Sequence, residues 1–562
     1  MNQAPRRLRS LAFGLTLMSG AVPIVGAEQG AKAYVLDSEA PALTSLDLAT
    51  GKALARLALS GKPVSLLRSP DGSRLVVLDP GPGEDKKERG YKATGKSVAT
   101  IVDPAAMTVV GRLELGFGVA AESASFNLDG SRITVLCPGY EAKNPAEAQA
   151  RELVTVDLAT GREAGRLAIE HGAAPPIPSR AGRTLPLIQG LPRSARFPFP
   201  ESRLWLVDVA GPSVAAKLDM GTWSNLYTDG THFYLLDPGK PDKNPQKSTN
   251  GSVQVASLEK SALAGSLDAG RGPRGLYQDE RGGQVFIPSD GPPGTTEGML
   301  RVVRGAKLAA TLDVAGNPKL LKREHDLVYV VGEKAVTVVD PVALQVTASI
   351  PLTKGDKELV DDDDRPTEMA VSPDGKRSFV LYGLHNNVVV LDLEAKRAVG
   401  STKTGRGGKK LFGNVMGGMF GMLGFLAAGY SPWSFAAPTM LAVRPDGRFA
   451  YALNSQTKDV TIVDASTAEA AEMIGGGGYA LKMLAGGTLA VVSRGKLQLI
   501  DTTRNVKSAE LELPDLHGLA VSPDGKHAVA AAKRLVLCLD GVTGQELARL
   551  TDFVDPVDVV FE

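Results

Sequence analysis

Two cysteines in 562 residues exclude a disulfide scaffold, and aromatic side chains make up only 5% of the chain. No charge of one sign dominates. With 63 Lys plus Arg against 62 Asp plus Glu, the formal charge is +1 and no strong field recommends a nucleic acid partner. Catalytic spacings are missing as well. There is no His-x-His, His-Glu-x-x-His, Cys-x-x-Cys-His, Gly-x-Ser-x-Gly or phosphate-loop pattern, which removes the usual zincin, c-type haem, hydrolase-elbow and nucleotide-binding signatures. What is plentiful is turn chemistry, with 63 Gly and 36 Pro. A hydrophobic share of 43% with 22% charged residues is that of an ordinary globular protein, and the length exceeds one ordinary core. Several domains or a repeat array must follow.

The first 27 residues predict a secretory signal and no part of the fold. Arg6, Arg7 and Arg9 precede an apolar run from Leu11 to Val25, and Val25-Gly26-Ala27 supplies small residues for cleavage after Ala27. The run is short for a membrane anchor, is broken by Gly14, Gly20 and Pro23, and is followed at once by Glu28. No Cys follows it to carry a lipid. The expectation is an exported protein, periplasmic or extracellular. Removing the three Arg leaves 60 basic against 62 acidic residues, so the mature chain is close to neutral.

From residue 28 onward one unit recurs. It is clearest as Pro366-Thr-Glu-Met-Ala-Val-Ser-Pro-Asp-Gly375, then Lys376-Arg-Ser-Phe-Val-Leu-Tyr382, then Asn387-Val-Val-Val-Leu-Asp392, then Arg397-Ala-Val. The Ser-Pro-Asp-Gly turn returns as Ser69 to Gly72 and Ser522 to Gly525, and in worn form at Asn127 to Gly130, Ser179 to Gly182, Thr228 to Gly230 and Arg444 to Gly447. Pro presets φ, Asp bonds its own backbone and Gly accepts positive φ. The third segment ends in Asp repeatedly, at Asp47, Asp103, Asp157, Asp208, Asp340, Asp392, Asp464, Asp501 and Asp540. Short alternating Val, Leu and Ile runs with turns every ten or so residues predict antiparallel strands, and a period of roughly 40 to 55 residues predicts propeller blades.

The Ser-Pro-Asp-Gly turn, a second strand such as Arg74-Leu-Val-Val-Leu78 and the Val-x-x-Asp-x-x-Thr-Gly hairpin resemble the repeat of the YVTN and lactonase-like β-propellers. The resemblance covers nearly all of residues 32 to 562. It implies an architecture and leaves activity open, because none of the family's catalytic residues can be placed here.

First strands are expected near Pro63, Val119, Ala174, Trp223, Pro273, Pro318, Pro366, Pro438, Gly478, Leu516 and Pro556, about eleven units. The last is a lone first strand, whereas the mature N-terminus opens on second, third and fourth strands at Tyr34, Leu43 and Leu54. The two ends are therefore expected to complete one blade. The fold class expected is all-β, a β-propeller of about eleven four-stranded repeats. Propellers typically have four to eight blades, which favours two rings over one wide ring.

Strand parity assigns every long connection to one side. With strands A to D in each unit, the A-to-B and C-to-D turns share one side and the B-to-C and D-to-A loops the other. Residues 80–96, 137–150, 191–201, 237–250 and 289–297 are B-to-C loops, and 353–365 and 401–437 are D-to-A loops. All seven fall together. Rigid scaffolds present function on loops, so this side is the expected working surface. The alternative is that the tight turns are held by blade packing and the other loops merely tolerate insertion.

One inserted loop, 405–437, is unlike the rest. Leu411 to Ala437 carries no charge, has six Gly between 413 and 429, and offers Phe412, Met416, Met419, Phe420, Met422, Phe425, Trp433 and Phe435 to a partner. Its glycines and its place between two repeats argue against a membrane span, so no transmembrane helix is expected in the mature chain. Docking on a membrane surface or partner, or acting as a lid or plug, fits better.

Other residues on that side are weaker candidates. Asp361, Asp362, Asp363 and Asp364 could take part in a Ca²⁺ site, though adjacent carboxylates diverge and a solvated acidic loop is the plainer reading. No other cofactor is expected. The basic loops, Lys86, Lys87, Arg89, Lys92 and Lys96 with Lys240, Lys243 and Lys247, are interleaved with acids and read as solubilising. His171, His385 and His517 fall near the loop-rich side, with His385 and His517 as polar candidates at a channel mouth, although a His starting a strand is usually structural. Cys137 and Cys538 lie in separate units and are not expected to pair. Two functions follow. One is a binding scaffold for a protein, glycan or membrane-associated partner; the other is a propeller hydrolase of lactonase type.

Overall fold

The computed structural model describes residues 31–86, 90–119, 124–127, 129–139, 151–169, 184–190, 202–208, 213–219, 225–229, 231–239, 249–279, 283–292, 295, 297–361, 364–383, 385–405, 438–454 and 457–562. Among them there is no helix, and the chain is organised as antiparallel sheets of propeller type. We number the sheets in chain order. Sheet 1 combines Lys32–Asp37, Ala42–Asp47 and Ala53–Ala58 with the C-terminal Pro556–Phe561. Sheet 2 spans 65–114, sheet 3 124–168, sheet 4 184–219, sheet 5 225–271, sheet 6 277–315, sheet 7 320–351, sheet 8 366–403, sheet 9 438–475, sheet 10 480–512 and sheet 11 518–550. Sheet 4 has three described strands. Sheets 5 and 6 are joined edge to edge through one pair, Arg271 with Asp290.

Sheet 8 shows how the sequence builds a unit. Its strands are Pro366–Val371, Arg377–Tyr382, Asn387–Asp392 and Arg397–Lys403, each paired with the next. The middle two are buried on both sides, which is why they read as runs of Val, Leu and Phe and not as an alternation. Successive residues serve opposite neighbours: Val380 and Tyr382 pack toward sheet 7, Phe379 and Leu381 toward sheet 9. Burying one such side chain contributes about 1.5–3 kcal/mol. Fourth strands are the most exposed, as in Thr108–Glu114, and most carry a register shift near their start, such as that at Val390/Leu391. A bulge there twists the free edge and discourages pairing with other chains.

Among the described residues eleven apolar clusters fill the spaces between sheets, and each draws its buried residues from two sheets that are consecutive in number, with the connections beside them, or from the first and last. Ala33, Val35, Leu46 and Leu48 of the first sheet pack against Val529, Val536 and Cys538 of the last. The expected closure by the chain ends is present: Lys32–Asp37 pairs with Pro556–Phe561, with Val35 opposite Val559. Two first-strand carboxylates tie neighbouring sheets together. The Leu441 amide donates to Glu368 Oε2 at 2.7 Å, and the Leu66 amide donates to Asp558 Oδ2 at 2.9 Å. Burial pushes both carboxyls upward.

Candidate functional site

The two sides of the sheets use their polar residues differently. On the short-turn side, Ser372 Oγ donates to Asp374 Oδ1 at 2.6 Å, Arg377 N donates back to Ser372 Oγ at 2.9 Å, and Lys376 N donates to Asp374 Oδ1. Ser69 with Asp71 and Ser522 with Asp524 repeat the arrangement. The aspartates that close the third strands cap the next turn: Asp157 accepts from Thr160 N and Oγ1, Asp340 from Val342 N and Ala343 N, and Asp501 from Thr503 N and Oγ1. The hydroxyl of Ser372 holds Asp374 below the usual carboxylate range, and those of Thr160 and Thr503 do the same for Asp157 and Asp501. The recurring Asp is thus a turn-forming residue. An open cavity of about 510 Å³ on this side, between sheets 9 and 10, is lined by Arg444, Asp446, Arg448, Phe449 and Thr502 among others. Arg444 is already bound to Asp446 and to the Thr502 carbonyl.

On the loop-rich side the candidate residues of sheet 8 come together. His385 Nδ1 lies 3.4 Å from Asp364 Oδ2 and 3.5 Å from Asp361 Oδ2, and the His385 amide donates to Asp364 at 3.3 Å. Asp364 is buried while Asp361 is exposed. Beneath them Tyr382 is fully buried and its hydroxyl has no hydrogen-bond partner among the described residues; burial first, then the charge of Asp364, pushes its pKa upward. Asp362 and Asp363 lie outside the described residues. Among the described residues no three His, Cys, Asp or Glu side chains form a group able to hold a metal ion.

His517 has a different partner. Its Nε2 lies 3.0 Å from Asp555 Oδ1, beside Asp37, which accepts from the amides of Val554 and Asp555. His385 and His517 therefore stand in separate sheets, each with its own carboxylate. Parts of two long connections are small hairpins, Gly83–Lys86 with Gly90–Ala93 and Thr353–Lys354 with Lys357–Glu358, where loops were expected. His171, Lys240, Lys243, Lys247 and the uncharged segment from Phe412 to Phe435 lie outside the described residues. Cys137 and Cys538 are free and buried in different clusters, as expected, and burial pushes the thiols up to about 12 and about 11. They are inert by that measure. Arg271, Arg274 and Arg301, where sheets 5 and 6 join, escaped the sequence reading; the run Gly270-Arg-Gly-Pro-Arg274 was the available signal.

No helix among the described residues is long and apolar enough to cross a membrane. No protein-family model and no curated protein match the chain. Solved structures do. A eukaryotic initiation factor is 11% identical, with 95% of this chain and 98% of that one covered and a TM-score of 0.43. Apo AztD from Citrobacter koseri is 14% identical over 66% of this chain and 95% of its own, with a TM-score of 0.29. A putative 6-phosphogluconolactonase from Bacteroides fragilis is 13% identical over 60% of this chain and 99% of its own, with a TM-score of 0.29.

Proposed function

We propose that the mature chain is an exported β-propeller scaffold whose loop-rich side binds a protein, a glycan or a membrane-associated partner. The observation that carries this reading is the contrast between the two sides. Short turns are closed by saturated Ser, Asp and Thr contacts, while the long connections emerge opposite them. The uncharged residues from Phe412 to Phe435 lie in the longest of those connections and are the proposed docking element, in an otherwise near-neutral protein. Nucleic acid is not among the proposed partners. Deleting 411–435 should abolish recovery of the partner in a pull-down, or flotation with liposomes, while leaving the unfolding midpoint in place. Unchanged recovery in both assays would sink the proposal.

We further infer one wide ring of eleven blades in place of two rings. Its support is the cluster order, which runs through consecutive sheets and returns from the last to the first. Two rings would require a cluster that skips blades. Small-angle scattering that fits two lobes and not one disc would reject the single ring.

A second reading is favoured by a specific observation, the pairing of His385 with the buried Asp364. In it the chain is a hydrolase of lactonase type, with His385 as general base near a channel mouth. It predicts turnover of simple lactones that His385→Gln loses. A wild-type protein without such turnover removes it. Calcium at Asp361 to Asp364 belongs to the same test, since added Ca²⁺ would raise the unfolding midpoint if those carboxylates bind it.

A further inference from the structure

Sheet 9 departs from its neighbours on the short-turn side. In sheet 8 the turn opens on Ser372 and the second strand on Arg377, whose Nη1 pairs with Asp392 at 2.9 Å. Arg444 stands in the place of Ser372, and Phe449 stands in that of Arg377, opposite Asp464 as Arg377 is opposite Asp392. The basic group has moved from the strand into the turn. Arg444 grips Asp446 from Nε and Nη2 and donates from Nη1 to the Thr502 carbonyl of sheet 10 at 2.8 Å, so its charge is matched and its fork is full. Arg448 is not so placed. Lys376, its counterpart in sheet 8, reaches Glu394 at 3.9 Å, but Ser466 holds the place of Glu394 in sheet 9. Among the described residues Arg448 forms no salt bridge and donates no side-chain hydrogen bond; it is exposed, with its guanidinium carbon 5.1 Å from the centre of the Phe449 ring.

Space lies beside it. The sheet 10 turn on the same cavity is Leu484-Ala-Gly-Gly487, without the Asp that the Ser-Pro-Asp-Gly turns carry, and Gly487 holds a φ of 80°. A Cβ there would stand 3.3 Å from Thr502 Oγ1 and 3.9 Å from Pro445 Cδ, both residues of the cavity wall. Lack of a side chain keeps open the cavity of about 510 Å³ between the two sheets. Small-molecule sites occupy about 300–1,000 Å³, and this one falls within that range.

The lining fixes the chemistry of the occupant. Arg444 and Asp446 cancel, which leaves Arg448 as one positive charge, while Asp446, whose Oδ1 accepts the Arg448 amide at 3.0 Å, repels a second negative charge on a ligand. A carboxylate monoanion meets both conditions, and a phosphate dianion does not. Asn505 Oδ1 accepts from the Tyr451 hydroxyl at 2.7 Å, which leaves its amino group to donate, and Thr503 Oγ1, having donated to Asp501, is left to accept. Such a pair suits hydroxyl groups, and Phe449 and Pro445 line the same cavity with carbon surface for a ring. We propose that this cavity binds an acidic sugar, a hexuronate, with its carboxylate on the fork of Arg448 and its hydroxyls on Thr503 and Asn505. The site lies on the side away from the proposed docking surface and does not depend on it.

The test uses the full mature chain at ionic strength held constant with NaCl, with binding followed by calorimetry. Glucuronate should bind saturably at one site per chain. Glucose, which lacks the charge, and acetate, which lacks the ring and hydroxyls, should each bind at least about tenfold more weakly. Arg448→Gln should weaken glucuronate about tenfold and leave glucose unchanged. Ala485→Glu, which sets a carboxylate on the sheet 10 wall, should weaken glucuronate by a similar factor with Arg448 intact. Arg504→Met removes an exposed charge outside the lining and should leave the affinity within about twofold. No saturable binding of glucuronate, unchanged affinity in Arg448→Gln, or an equal loss in Arg504→Met overturns the site. Tighter binding of glucose 6-phosphate than of glucuronate overturns the choice of a carboxylate. If one of the two cavity variants fails to fold, the other decides by the same readout. The result is independent of whether the 411–435 deletion loses recovery of a partner.

Discussion

The short-turn side and the loop-rich side are made from the same sheets, yet one is uniform and the other is not. At Ser69, Ser372 and Ser522 the same hydroxyl makes the same contact to an aspartate two residues on. On the opposite side, His385 meets Asp364 and Asp361, His517 meets Asp555, and Arg271 is left with a backbone carbonyl. Turns that satisfy themselves within a few residues are copied from unit to unit. Connections that must be completed by another strand or sheet diverge, and divergence is where binding specificity can enter.

The largest expected effect that tests this contrast is acid. Asp157, Asp374, Asp501 and other turn aspartates have folded pKa values below their unfolded ones, so their stabilisation is complete above about pH 3.9 and is lost as pH falls through the folded values. Glu368 and Asp558 have the opposite sign, since their raised pKa values add stability below the unfolded values and lose it as pH rises through the folded ones. Two such groups do not offset the many turn aspartates. The unfolding midpoint should therefore drop steeply below about pH 4, and a midpoint that is flat from pH 5 to 2.5 would break the account of the turns.

Next in size is a local change on the short-turn side. Replacing Ser372 and Asp374 together by Ala should cost about 2–3 kcal/mol, as two linked hydrogen-bonding groups are lost from one turn. Urea denaturation measures it, and a loss under 0.5 kcal/mol would remove the distinction between the sides. Smallest should be the matching change opposite. Replacing the hairpin 83–93 by a short Gly-Ser linker should shift stability by no more than about 1 kcal/mol, because loop length is a weak entropic term. A loss as large as that of the turn variant would mean that the loop-rich side is structural too.

Much of the architecture was legible from residues alone. The Ser-Pro-Asp-Gly turns, the third-strand aspartates and the placing of sheets 7 to 11 follow from signals that act within four to ten residues. The terminal sheet was legible for a related reason, since an unmatched first strand at Pro556 and a missing one before Tyr34 imply each other. The site was less legible. Asp361, Asp364 and His385 were named as candidates without a reason to expect contact, because 21 residues separate Asp364 from His385 and a strand pair must fold between them. Arg301 and Arg271 belong to different sheets, and nothing in the local sequence of either says that two carboxylates will be shared among three arginines.

What the sequence determined by itself is the repeat: four strands, their turns, the sidedness of the long connections and the closure by the chain ends. These depend on backbone preferences and strand parity, which are local or follow by counting. The tertiary structure decided which apolar faces meet between neighbouring sheets, which histidine receives which carboxylate, and which arginine is left with a backbone carbonyl. Those outcomes depend on distances between segments far apart in the chain, where burial removes the water that would otherwise make each charge indifferent to its neighbours.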